Sequence, residues 1–209
     1  MVGLICVGRL ARGAVRRLAD AAPSSRVPRM LIDANKSALL VVDVQEKLMP
    51  AMAEPDRVVE NCAVLMTAAG RLNIPVVVSE QYPKGLGNTV PPLAELAPPG
   101  SVLPKLHFSC AADPAIVAVL SAYEREQVLV AGVESHVCVL QTALDLKAVG
   151  TRCIVVADAT SSRAVASKDV ALARLREAGV EIATTEMVLF EWLRQAGTPE
   201  FKELSRLIK

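Results

Sequence analysis

A chain of 209 residues is the size of one ordinary domain, able to close its core without disulfide or metal staples. An apolar fraction of 52% with only 3% aromatics makes that core Ala, Val, Leu and Ile, which suits buried parallel strands under Ala-rich helices. The formal charge is +1, but residues 1–30 hold six Arg and one acid, a net +5, so residues 31–209 carry −4 and offer no basic stripe for nucleic acid.

Residues 1–29 read as a basic N-terminal extension ahead of a domain at 30–209, with Met30 where a compact unit would begin. Its apolar GLICVG precedes the arginines, the reverse of a secretory signal's order. A mitochondrial transit segment and an upstream start codon are the two readings, and without a transit segment the cytoplasm is the expected compartment. Five cysteines (Cys6, Cys62, Cys110, Cys138, Cys153) are an odd number without a C-x-x-C pair, which fits a reducing compartment and leaves a thiol for chemistry. No run of roughly 18 apolar residues suggests a membrane span.

From residue 37 strand and helix patterns alternate. The run ALLVVDV at 38–44 is short, β-branched and nearly all apolar, as a strand buried on both faces must be. Helical spacing over 57–72 ends at Gly70, Asn73 and Pro75. IPVVVSE at 74–80 is a second strand. The Pro- and Gly-rich YPKGLGNTVPPLAELAPPG then makes a long connection with one helical turn at 93–96. A short strand at 101–105 precedes a helix at 114–124, with Asp113 as N-cap and Pro114 at its first position. QVLVAGV is the fourth strand, and a helix follows to Ala148, closed by Gly150. RCIVVAD, a helix at 168–178, EIATT and helices at 186–195 and 199–207 complete the chain. This alternation predicts an α/β fold with a parallel sheet and helices on both faces.

In such sheets ligands bind beyond the carboxyl ends of the strands. That rule selects Asp43 and Gln45, Glu80 to Tyr82, Lys105 and Phe108, the segment from Gly132 to Cys138, and Asp158. Cys138 falls in the first turns of a helix, where unpaired N–H groups and the helix dipole favour a thiolate and can receive an oxyanion. Packing as a small apolar residue is the competing role. Asp43 interrupts an apolar strand at its end, where it serves as a general base or caps the next turn. Lys105 is poised to lower the thiol's pKa and orient Asp43, or is a solvated surface lysine. His136 lies two residues from Cys138, about 200° away around a helix, so the two do not pair. Neither G-x-G-x-x-G nor a P-loop occurs, so no nucleotide cofactor is expected; two histidines are too few for a His-rich metal site.

D-x-Q after the first strand, K-x-x-F-S after the third and A-G-V-E-S-H-V-C-V before the helix resemble the isochorismatase-like cysteine hydrolases over residues 36–208. SEQYPKGLGNTVPPL, KLHFSC and CVLQTALDL are similar to the subgroup typified by isochorismatase domain-containing protein 2. The resemblance implies a three-layer αβα sandwich with a six-stranded, mainly parallel sheet, and a catalytic triad of Asp43, Lys105 and Cys138. It also implies a cis peptide between Val133 and Glu134 and an oxyanion hole from the backbone N–H groups of Glu134 and Cys138. Gln45, Tyr82, Leu86 and Phe108 would line the substrate pocket, with Gln45 supplying a polar contact. The expected reaction is hydrolysis of a small C–N-bonded substrate through a thioester, without metal or cofactor, in a homo-oligomer. Nicotinamidases of this superfamily carry an Asp and His metal cluster where this chain has GluGlnTyrPro, and true isochorismatases lack the cysteine. A family member retained for binding or assembly is the rival reading. A third keeps Cys138 for redox chemistry with Cys110.

Overall fold

The computed structural model describes residues 31–208, so the extension expected at 1–29 lies outside the described residues. Ile32–Lys209 clusters as one compact unit. Its strands are β1 (Ser37–Val42), β2 (Val76–Gln81), β3 (Val102–Lys105), β4 (Gln127–Val133), β5 (Arg152–Ser161) and β6 (Glu181–Ala183). They form one sheet in the order β3-β2-β1-β4-β5-β6, every pairing parallel. The helices are α1 (Pro55–Arg71), the single turns α2 (Pro83–Leu86) and α3 (Pro91–Ala94), then α4 (Pro114–Ala122), α5 (Leu140–Ala148), α6 (Val165–Glu177), α7 (Thr185–Leu193) and α8 (Pro199–Leu204).

Strict alternation along the central strands divides the core in two. Leu39, Val41, Val78, Leu129 and Ala131 pack on one face with Cys62 and Leu65 of α1 and Val188 and Leu189 of α7. Leu40, Val42, Val77, Val128 and Val130 pack on the other with Ile116 of α4, Ala143 of α5 and Leu172 and Leu175 of α6. Both faces are therefore apolar, so β1 reads as an unbroken hydrophobic run, each buried Leu or Val contributing about 1.5–3 kcal/mol.

Differences from the sequence reading have local causes. The first strand stops at Val42 because Asp43 turns into the left-handed region (φ 53). The 83–96 region holds two helical turns, each opening on a proline, which suits the first helical position. β5 runs on to Ser161 through an irregularity: Val130 pairs with Val155, but Gly132 pairs with Thr160. Asp158 therefore sits within β5 rather than beyond it. Thr184 leaves the last strand to cap α7, its side chain accepting from the Met187 N–H.

The order places the sheet's switch point between β1 and β4, the usual place for a ligand crevice. Gly132 fixes the approach of these two strands at that point. Its φ is 101°, and a Cβ there would lie 2.1 Å from the Val42 carbonyl oxygen. Gly132→Ala should cost at least about 3 kcal/mol in urea unfolding, since both the backbone conformation and the strand contact are lost. Retention of wild-type stability would refute this account of the switch point.

Candidate active site

Three segments converge at the carboxyl edge. Asp43 leaves β1 held by two backbone bonds: its N–H donates to Ser79 O at 3.0 Å, and its carbonyl accepts from the Gln45 N–H at 2.9 Å. Asp tolerates the left-handed conformation better than most residues, so the turn that ends β1 is also what aims the carboxylate. Lys105 ends β3, two strands away across β2. Its ammonium donates to Asp43 Oδ2 at 2.7 Å, and neither side chain is exposed. It also donates to Gln81 Oε1 at 2.6 Å and to the carbonyls of His107 and Phe108, each at 3.2 Å. The K-x-x-F-S segment thus wraps its own backbone around the lysine. The surface-lysine alternative is excluded.

Cys138 sits in a five-residue π-helical turn, Ser135–Val139, that follows β4 and leads directly into α5. Its thiol lies within electrostatic reach of both Asp43 and Lys105. Asp43, Lys105 and Cys138 therefore share one buried cluster. The Val133–Glu134 peptide is cis, and the Glu134 carbonyl accepts the N–H groups of Val137 and Val139. Thr160 braces this passage, donating to Gly132 O at 2.6 Å and sharing a hydrogen bond with Ser135 Oγ at 2.9 Å.

The electrostatics correct the expectation of a resting thiolate. Burial first, and the Asp43 charge second, push the Cys138 thiol up to about 12, with Lys105 opposing. With its pKa raised that far, Cys138 holds its proton at neutral pH. Burial also raises Asp43 above the usual carboxylate range, against the pull of Lys105 and the hydrogen bonds it accepts. The cluster is a buried thiol beside a carboxylate paired to lysine. Burial likewise pushes the remaining described thiols up, Cys62 and Cys153 to about 12 and Cys110 to about 11.

The other residues selected from the sequence divide. Gln45 is fully buried and committed to backbone: Oε1 accepts the Gln81 N–H at 2.8 Å, while Nε2 donates to Gln81 O at 3.0 Å and Gly87 O at 2.6 Å. It shapes the 81–87 loop instead of supplying a polar contact to substrate, which corrects its expected role. Tyr82 and Phe108 are about half exposed, at 51% and 54%, and Leu86 is half-buried. Tyr82 has φ 38 and lays its ring against Gly85, where an added Cβ would lie 2.5 Å from ring carbons. Its N–H donates to the Lys105 carbonyl, which ties this rim to the cluster. Asp158 caps α7, accepting from the N–H and hydroxyl of Thr185 at 2.8 and 2.9 Å. His136 bonds Ser162 Oγ through Nδ1 at 2.9 Å, in keeping with a role away from the thiol. Ser79 was missed: its hydroxyl donates to Asp43 Oδ1 at 2.7 Å. The available signal was a polar residue on an inward position of an apolar strand.

The ion pair yields a direct test. Lys105→Met should destabilise by about 3–5 kcal/mol because it strands a buried carboxylate, and adding Asp43→Asn should recover a large part. Urea unfolding of the two single variants and the double variant measures the coupling. Simple additivity would mean the two groups do not depend on each other.

The chain matches the family model described as isochorismatase domain over residues 37–187. It is 42% identical over 173 residues to isochorismatase domain-containing protein 2 of Danio rerio, covering 82% of this chain and 86% of the relative. Among solved structures it resembles the MAR1 ribonuclease of Caenorhabditis elegans (TM-score 0.80, 36% identity, covering 86% and 92% of the two chains). It also resembles YcaC of Pseudomonas aeruginosa, solved with hexane-2,5-diol and covalent acrylamide (TM-score 0.80, 26% identity, covering 84% and 90%). With the same fold and a match over most of its length, this chain belongs to the isochorismatase family.

Proposed function

We propose that the chain is a metal-independent cysteine hydrolase that cleaves an amide-type C–N bond of a small molecule through a thioester, with Asp43, Lys105 and Cys138 as its catalytic triad. One observation carries the reading: a buried thiol gathered with a carboxylate that is paired at 2.7 Å to a fully buried lysine. Replacing such a buried pair by apolar residues is often neutral or stabilising, so its presence argues for chemistry more than for stability. The covalent acrylamide on a relative of this fold is in keeping with a nucleophile that attacks polarised carbon.

In the first step Asp43 takes the Cys138 proton while Sγ attacks the carbonyl carbon. The backbone N–H groups of Glu134 and Cys138 receive the oxyanion. Protonated Asp43 then gives its proton to the departing nitrogen, so ammonia or an amine leaves and the thioester remains. Asp43, again a carboxylate, takes a proton from water as the hydroxide attacks the thioester. Collapse of that intermediate releases the acid, and the proton returns to Sγ. Lys105 stays charged throughout and keeps Asp43 ionised between transfers. Tyr82, Leu86 and Phe108 form an apolar rim that would hold the non-reacting part of the substrate.

The similarity to a ribonuclease favours phosphodiester cleavage as a second reading. Lys105 is only 2% exposed and its ammonium has four protein partners, so it is not free to neutralise a phosphate. The amide reading is therefore the better supported.

Ammonia release from a panel of small amides, ureides and carbamoyl compounds, run beside cleavage of an RNA oligonucleotide, separates the two. At least one amide-type compound should be turned over, with release falling at least about a thousandfold in Cys138→Ala. RNA cleavage that persists in preparations inert toward the whole panel would favour the second reading, and ammonia release indifferent to Cys138→Ala would overturn the first.

A further inference from the structure

We propose that Ser79, seated by Cys110, is the positioning residue that fixes the plane of the Asp43 carboxylate for proton transfer from Cys138. The inference rests on the reading of Asp43 as the general base and adds a part that the triad leaves out.

Lys105 grips one oxygen, Oδ2, and a one-point grip leaves a carboxylate free to turn about a broad terminal torsion. Ser79 holds the other oxygen, Oδ1, at 2.7 Å. With both oxygens fixed, the remaining lone pairs of the carboxylate point in set directions, as a base for the Cys138 thiol requires. A serine hydroxyl has a single proton, so its direction must itself be determined. Cys110 does this, its thiol donating to Ser79 Oγ at 3.4 Å. Cys110 is held in turn by its backbone N–H, which donates to Thr142 Oγ1 of α5 at 2.9 Å. The chain of bonds thus runs from α5 through the 3-10 turn at Cys110–Ala112 to β2 and then to the base.

The placement is costly without such a role. Ser79 is fully buried and follows Val77 on the face that carries the second core cluster, where an apolar side chain would pack without needing a partner. Its hydroxyl has no other acceptor than Asp43 among the described residues. During the proton transfer the Ser79 O–H and Cys110 S–H bonds stay intact: the proton leaves Cys138 Sγ, arrives on Asp43, and the other two groups only steer it. Asp43 is faced by Lys105 from β3, Cys138 from the π turn, Cys110 from the 3-10 turn and Ser79 from β2. Removing the Ser79 bond makes the carboxylate more basic, so its ionisation moves to higher pH, and it also loosens the geometry.

Iodoacetamide alkylation of Cys138 in the full chain, followed by mass spectrometry of its peptide across pH, tests this without knowledge of the substrate. In Ser79→Ala the acid limb of the rate profile should move up by about one pH unit. The plateau rate should fall about tenfold. Ser79→Thr, which keeps the hydroxyl, should restore both. Cys110→Ala should shift the limb in the same direction by less, and serves if Ser79→Ala does not fold. A Ser79→Ala profile that superimposes on wild type, or a Ser79→Thr profile as impaired as Ser79→Ala, would overturn the proposal. Asp43→Asn separates the two levels. If it removes the acid limb while Ser79→Ala changes nothing, the positioning role alone fails, and if it too changes nothing, Asp43 is not the base and both readings fall.

Discussion

The candidate site depends on one ion pair out of reach of water. Asp43 and Lys105 belong to strands separated by β2, about 9–10 Å apart at the usual strand spacing, and only a side chain as long as lysine closes that gap. Desolvating two charges costs several kcal/mol each, which is repaid only when geometry and auxiliary hydrogen bonds are good. Here they are: the ammonium has four oxygen acceptors, and the carboxylate has donors on both oxygens. The fold supplies this by register. Gln81 lies opposite Lys105, and Ser79 opposite Val42, so β2 presents one polar side chain to each end of the pair.

That pair also decides where the thiol proton rests. A thiolate would be favoured by a nearby cation alone, but here Asp43 stands against it, and at Cys138 the Asp43 charge outweighs that of Lys105. Burial then dominates and the thiol stays protonated. The arrangement differs from a resting thiolate–imidazolium pair, in which the proton is transferred in advance. A buried, protonated thiol is less open to oxidation than an exposed thiolate.

How much of this was legible in the sequence follows from which signals are local. Apolar runs located the central strands, because burial on both faces leaves no alternation to misread, and the strand-end rule then picked out Asp43, Lys105 and Cys138. Residues whose roles depend on pairing were another matter. Gln45 looked like a substrate contact because it follows the strand, yet it closes on Gln81 and Gly87, 36 and 42 residues away. Asp158 looked like a strand-end residue because the irregularity in β5 leaves no mark in an apolar pattern. A single π turn changes the helical period for only five residues, too few for periodicity to register. Ser79 could be noticed as a polar intrusion, but its partner could not be named before the register of β1 and β2 was known.

The rigidity of the rim follows from the same long-range bonds. Gln45 grips the 81–87 segment from beneath, and Glu80 accepts the N–H and hydroxyl of Thr89 at 2.6 and 2.8 Å, so both ends of a Pro- and Gly-rich loop are tied to strand residues. Tyr82 can then hold an otherwise unfavourable left-handed conformation, because three backbone hydrogen bonds and the Gly85 backbone fix its position. A loop composed for flexibility is thereby anchored at both ends. Tyr82 in this loop and Phe108 after β3 present half-exposed rings, whereas the charges of Asp43 and Lys105 are consumed inside the protein.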